Sequence, residues 1–230
     1  VTTAQSGDWI SFLLNQGGVA TIANTDIRYG GNATINGFGN LVRRAQINNA
    51  GGSLTLDGAH FSMSNGQHIT QSVGSTVATN SEFDHSNVYG IYVSGGTFSV
   101  NSSSIHDNTA YGIFNATSQT IDASQNWWGA VGGPTHASNP FGTGDKVSDN
   151  VDYGDWLTNA PQGICAPGSP NCNSNVLFLP GLEASRLYKT ELLGSDENQL
   201  WEPNRNDDVR ALFLDENGKS TTSYDIYTRD

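Results

Sequence analysis

Acidic, imidazole and hydroxyl side chains recur in this chain at one spacing. Asp26, His60, Glu82 and Ser104 each stand just before an apolar residue, namely Ile27, Phe61, Phe83 and Ile105, and the last three members of each set are 22 residues apart. Met63, His85, Asp107 and Gly129 repeat with the same interval. If the strands that carry them stack, His60 neighbours Glu82 and His85 neighbours Asp107. Such acid and imidazole pairs can act as general acid and base on glycosidic bonds. They also suit a solvated outer face that has to be polar in any case, a polysaccharide-binding face, or a bound cation. Tyr89 and Tyr111 each precede Gly-Ile at the same interval. They form either an exposed two-rung ladder able to stack on sugar rings or a structural ladder at a corner. The candidates for glycan contact are therefore Tyr89, Tyr111, His60, Glu82, His85 and Asp107.

Covalent ester chemistry lacks its parts. No Gly-x-Ser-x-Gly turn occurs in the 230 residues and no histidine follows His136. A serine hydrolase of the α/β type needs both. Only Arg28, Arg43 and Arg44 are available to neutralise a uronate, so a neutral glycan is the easier ligand.

The elements that position these residues are read from the repeat. Leu54–Phe61, Thr76–Phe83, Phe98–Ile105 and Thr120–Trp127 align without gaps, and Ile69, Ile91 and Ile113 make a second apolar column at the same interval. A period of this size belongs to stacked supersecondary units. Each unit is expected to hold two or three strands of about three to five residues, which bury their apolar side only by stacking. Asn and Gly tolerate the left-handed backbone of the corners. Phe61, Phe83, Ile105 and Trp127 are expected in one interior column. Upstream, Ala20–Ile27 fits the template at 34 residues from Phe61, so one coil is enlarged around Gly30-Gly31-Asn32 or Phe38-Gly39-Asn40. No capping element precedes Trp9, and coils ahead of Val1 are expected.

Composition bounds the partners. The net charge is −12 and charged residues make up 14%. With no basic stripe to neutralise phosphates, a nucleic-acid partner is disfavoured. No apolar run approaches the ~20 residues of a membrane-spanning helix. Cys165 and Cys172 lie in a Pro/Gly/Asn-rich segment, where a local disulfide and two free thiols both remain open. Residues 175–230 differ from the rest, with eleven of the 22 acids and six of the ten basic residues. The apolar run Asn175–Leu179 ending in Pro180-Gly181 suits a buried parallel strand that delivers a loop.

Two resemblances follow from these motifs. Trp9-Ile-Ser-Phe12, Ile27-Arg-Tyr-Gly-Gly31 and Asn126-Trp-Trp-Gly-Ala-Val-Gly-Gly-Pro134 resemble right-handed parallel β-helix regions of secreted and surface proteins of bacteria and archaea, over roughly residues 5–158. That scaffold serves adhesins, surface-layer components, lyases and epimerases alike, so it implies little about function. Val176–Leu187, Leu200-Trp-Glu-Pro203 and Leu212-Phe-Leu-Asp215 are similar to the opening of lecithin–cholesterol acyltransferase-like and lipase-type α/β-hydrolases. There the turn after the strand supplies an oxyanion-hole amide. The resemblance places this loop at Gly181, Leu182 and Glu183, with the donor at Glu183 or, as the alternative, Leu182, although an acid at position 183 is a departure from the chemistry.

The expected fold class is thus all-β, a right-handed parallel β-helix of ~22-residue coils over 1–134, with a C-terminal fragment of α/β-hydrolase type. Residues 135–158 are expected to cap it, 159–174 to link, and 175–230 to hold the partial hydrolase-like segment. The expected role is an extracellular or cell-surface module for structure, adhesion or glycan contact, non-catalytic as this chain. One alternative is part of a larger lipase- or acyltransferase-like enzyme with its nucleophile beyond residue 230, partnered by other domains of the same parent. The other is a polysaccharide-active enzyme. No cofactor is expected, with a structural calcium ion as the alternative.

Overall fold

A computed structural model describes residues 4–32 and 45–161, together with the backbone of three short strands between 187 and 228. The chain divides into two compact units, 1–172 and 173–230. The first contains β1 (Phe12–Asn15), β2 (Val19–Ala23), β3 (Asp26–Arg28), β4 (Ala45–Asp57), β5 (His60–Ser62), β6 (Gln67–Thr79), β7 (Glu82–Asp84) and β8 (Tyr89–Val93). It continues with β9 (Thr97–Asn101), β10 (Ser104–His106), β11 (Tyr111–Asn115), β12 (Ile121–Asp122), β13 (Pro134–Thr135), β14 (Gly144–Lys146) and β15 (Val151–Asp152). The second unit contributes β16 (Leu187–Thr190), β17 (Glu197–Gln199) and β18 (Asp225–Thr228). No helix occurs among the described residues.

Every strand pairing in the first unit is parallel. Nine strands form the larger sheet, along the path β1-β4-β6-β9-β12-β15 with β2, β8 and β11 attached, and four form a smaller one in the order β10-β7-β5-β3. Registers in the middle of the unit are 22 residues wide: Phe61 faces Phe83, Ile69 faces Ile91, and Val77 faces Ser99. Between β3 and β5 the offset is 34, with Ile27 facing Phe61. Of the two places proposed for the extra length, Gly30–Asn32 is described and Phe38–Asn40 lies outside the described residues.

Alternation explains the core. Within each three-residue strand of the smaller sheet the middle side chain turns inward, and Ile27, Phe61, Phe83 and Ile105 are all buried. From the larger sheet Ile47, Ile69, Ile91 and Ile113 form an opposing column, with Leu56, Ala78 and Val100 as another. Fully burying each large aliphatic or aromatic side chain is worth about 1.5–3 kcal/mol. Polar backbone at one corner is satisfied across the strands: Ser81 Oγ accepts from Ala59 N, Ser103 Oγ from Ser81 N, and Asn126 Oδ1 from Ser103 N. A buried amide left unpaired would cost about 1–3 kcal/mol.

Three expectations are corrected. The strands do not close into a solenoid of equal coils. They lie in separate parallel sheets of nine, four and two strands, and β4 and β6 run for 13 residues each where strands of three to five were expected. Spacing in a sequence sets which residues become neighbours on adjacent strands, a pairwise property. Closure depends further on every corner and every length, which the period does not specify. The α/β-hydrolase expectation is also not met, because β16, β17 and β18 form an antiparallel sheet in the order β17-β16-β18. A six-residue connection between β16 and β17 suits an antiparallel return and is too short for a crossover to a parallel strand. The anticipated strand at 175–179, the loop Gly181, Leu182 and Glu183, and the Cys165–Cys172 segment lie outside the described residues.

The third correction concerns the tryptophans. Trp127 bridges to Ser104, an offset of 23, and Trp127 N donates to Ser103 O while Ile105 N donates to Trp127 O. That slip of one residue makes Trp128 the fully buried ring and leaves Trp127 partly exposed.

Candidate functional site

The smaller sheet presents a polar face opposite its apolar one. Its four strands read Asp-Ile-Arg, His-Phe-Ser, Glu-Phe-Asp and Ser-Ile-His. With the middle residue inward, the two flanking residues of each strand fall on the other side. Parallel registry then sets Asp26, His60, Glu82 and Ser104 in one row, and Arg28, Ser62, Asp84 and His106 in the next.

These side chains join into one chain of charges. Arg28 grips Asp26 with Nε at 2.8 Å and its terminal nitrogen at 2.6 Å. Asp26 Oδ1 lies 3.2 Å from His60 Nδ1. On its other side His60 Nε2 is 3.3 Å from Asp84 Oδ1 and 3.8 Å from Glu82 Oε2. Glu82 Oε1 meets His106 Nε2 at 2.9 Å, His106 Nδ1 meets Asp107 Oδ2 at 2.7 Å, and His85 Nδ1 meets Asp84 Oδ2 at 3.1 Å. His60 is only 4% exposed.

Burial opposes charge on His60, but the acceptor carboxylates of Asp26 and Asp84 and the charges of Asp84 and Glu82 outweigh it and raise the imidazole to about 9. His106 follows the same logic: burial lowers it, Glu82 and Asp107 raise it, and it too reaches about 9. Asp84 would be raised by burial, yet His60, Ser62 and His85 hold it far below the usual carboxylate range. His60 and His106 are thus held as imidazolium ions and Asp84 as a carboxylate, so these three are fixed charges and not groups poised to exchange a proton near neutral pH. One nitrogen and two oxygens, from His60, Glu82 and Asp84, all lie within 4.8 Å of one another and could hold a metal ion.

A second feature lies on the larger sheet. Tyr89 pairs with Tyr111, and Tyr92 with Phe114, across β8 and β11. Tyr89, Tyr92 and Phe114 are nearly parallel, with interplanar angles of 13–21° and centroids 5.3–5.9 Å apart. Tyr111 stands edge-on to Tyr89 and Phe114. All four rings are half-buried, while Ile91, Val93 and Ile113 on the same strands face the core. On β6 the neighbour of Tyr92 is Thr70, so this row turns from polar to aromatic at β8.

The aromatic face continues into a polar cleft. Lys146 Nζ sits 4.5 Å from the Tyr111 ring centroid, a cation–π distance. Lys146 also lines a cleft of about 240 Å³ with Asp107, Asn108, Thr109, Trp128 and Asp145. Burial raises Asp145 to about 6 against the pull of its Asn108 hydrogen bonds. Its oxygens accept from Asn108 N at 3.2 and 3.3 Å and from Asn108 Nδ2 at 2.8 Å. So tethered, Asp145 ties two distant stretches of chain together and is poorly placed to protonate a leaving group.

His60 and Glu82 are thus register partners in one network, whereas His85 and Asp107 enter it only through Asp84 and His106. Among the described residues no ion pair links His85 to Asp107. Both have left-handed backbone, φ 53° and 57°, as does Met63 at 54°, so that column forms a corner. Sequence reasoning set Asp26 in the column of His60 but missed Asp84 as a partner of His60 and His106 as a partner of Glu82, although the strand alternation Glu82-x-Asp84 and Ser104-x-His106 carried the signal. It also missed Tyr92 and Phe114, which share the 22-residue interval of the two tyrosines it singled out. No helix of the described residues is long and apolar enough to cross a membrane. No protein-family model matches this chain, and neither the curated proteins nor the solved structures give a match.

Proposed function

We propose that this chain is a non-catalytic carbohydrate-contact module that works outside the cell or at its surface, with the face of β8 and β11 as its binding surface. The observation that carries the reading is the group of Tyr89, Tyr92, Tyr111 and Phe114, half-exposed and bordered by a polar cleft. Aromatic faces take the apolar C–H side of a pyranose, and tyrosine hydroxyls, threonines and an amide can bond its rim. A net charge of −12 favours a neutral glycan over a polyuronate. The role of a structural or adhesive element is compatible with such contact, since both need a rigid face and no chemistry.

A glycan-array screen of the full chain, repeated with Tyr92→Ala and Tyr111→Ala, tests this. One class of neutral glycan should be retained, and each substitution should weaken it about tenfold, the loss of roughly 1.4 kcal/mol. Absence of any retained glycan, or equal retention by the folded variants, would refute the assignment.

A further inference from the structure

The polar face of the smaller sheet serves no part in that glycan contact. We propose that His60, Glu82 and Asp84 form a site for one first-row divalent transition-metal ion, zinc above all, bound through His60 Nε2, Glu82 Oε2 and Asp84 Oδ1, with the ion displacing the Nε2 proton to solvent.

The distances fit such an ion. A tetrahedral zinc with ligands at about 2.0–2.2 Å holds them roughly 3.3–3.6 Å apart. His60 Nε2 to Asp84 Oδ1 is 3.3 Å and His60 Nε2 to Glu82 Oε2 is 3.8 Å, and one atom from each of the three residues lies within 4.8 Å of the others, so the ligands draw together slightly around an ion. One histidine nitrogen with two carboxylate oxygens suits zinc; calcium seeks six to eight oxygens. That weighs against the calcium ion considered from the sequence.

Both carboxylate ligands are held through their other oxygen, and a third carboxylate stands behind His60. Asp26 Oδ1 faces His60 Nδ1 at 3.2 Å and is itself gripped by Arg28. His106 Nε2 holds Glu82 Oε1 at 2.9 Å, and His85 Nδ1 holds Asp84 Oδ2 at 3.1 Å. The carboxylate of Asp26 thus stands beside the nitrogen of His60 that the metal would leave free.

An independent observation comes from the next strand. Ser104 is the register partner of Glu82, in the same row of the same face, and is 1% exposed. Among the described residues its Oγ has no hydrogen-bond partner. A buried hydroxyl left without a partner costs about 1–3 kcal/mol unless some group answers it. A water on the open position of a bound ion would supply that group. Glu82 and Asp84 retain 17% and 12% side-chain exposure, which leaves an entry path.

The test uses the full chain freed of metal with a chelator and then titrated with zinc chloride by calorimetry. One zinc per chain should bind, the thermal midpoint should rise, and millimolar calcium or magnesium should give neither effect. Cobalt(II) substituted for zinc should show the intense visible absorption of a tetrahedral site. Glu82→Gln, an isosteric change at a partly exposed position, should weaken zinc by at least about tenfold, whereas His136→Ala at the separate His136–Asp149 pair should not. The proposal is overturned if the wild-type chain takes up no zinc. It is equally overturned if cobalt gives only the weak spectrum of the hydrated ion, or if His136→Ala abolishes binding and Glu82→Gln leaves it intact.

Discussion

Phe61 and Phe83 lie face to face across adjacent strands, with ring centroids 5.2 Å apart and planes 8° from parallel. Both are fully buried, and the imidazole of His68 leans against each. Deleting either ring leaves a cavity that the short strands β5 and β7 have little freedom to collapse. Phe83→Ala should therefore cost about 3–5 kcal/mol, and Phe83→Leu clearly less. Urea unfolding with an unchanged m-value measures the difference; a loss under 1 kcal/mol for the alanine variant would show the column is not packed as described.

The adjacent tryptophans make a sharper comparison. Trp128 is fully buried and Trp127 is not. Trp128→Ala should lower stability by about 3–5 kcal/mol, and Trp127→Ala by no more than half as much. Equal losses, or the reverse order, would restore the uninterrupted 22-residue register.

In metal-free protein, pH should act mainly on the alkaline side. His60 and His106 titrate near 9 in the folded chain against an ordinary 6.5, so the folded state keeps two protons that the unfolded chain releases between those values. Their stabilisation is complete below pH 6.5 and is lost as pH rises through about 9. Asp26 and Asp84 are depressed, and their contribution disappears only as pH falls below about 4. Burial holds His68 down to about 3, which removes stability as pH drops from 6.5; burial raises Asp145 to about 6, which adds stability over much of the same interval. The urea midpoint should be nearly level from about pH 4 to 6.5 and then fall. His106→Gln should roughly halve the alkaline slope, and a slope unaltered by that change would place the titration elsewhere.

Gly74 and Gly17 share a left-handed backbone, φ 84° and 79°, in different surroundings. A Cβ on Gly74 would lie 2.2 Å from Gly52 O, while on Gly17 it would meet nothing within 4 Å. Gly17→Ala should cost only the backbone strain, about 1–2 kcal/mol. Gly74→Ala must also push two strands apart, so its thermal midpoint should fall well below that of the Gly17 variant. Similar midpoints would mean that β4 and β6 are not so closely packed.

What the sequence made legible was pairwise. Phe61, Phe83 and Ile105, and likewise Ile69, Ile91 and Ile113, could be placed beside one another because side-chain direction in a strand has period two and the interval was constant. Trp127 was misplaced because a single inserted residue between Ser103 and Asn126 is invisible where two tryptophans adjoin. Closure into a solenoid was unreadable for a related reason: intervals record neighbours and not the path of each corner. At the site, His60 beside Glu82 followed from the columns. The convergence of Asp84 and His106 on that column needed the second row of the same face. The 187–228 strands gave no comparable signal, since only one segment there looked like a strand and nothing repeated to supply its partners.

The constant offset between partners also bears on how the chain folds. From β4 to β11 each new pairing closes a loop of the same 22 residues. The entropy of closing a loop grows only with the logarithm of its length, so every step there meets the same modest barrier and none waits for distant ends of the chain to meet. Growth can start on any of these strands and travel toward either terminus. A lesion such as Phe83→Ala then acts as a local roadblock, slowing the advance across β7 while leaving the steps on either side at their original speed.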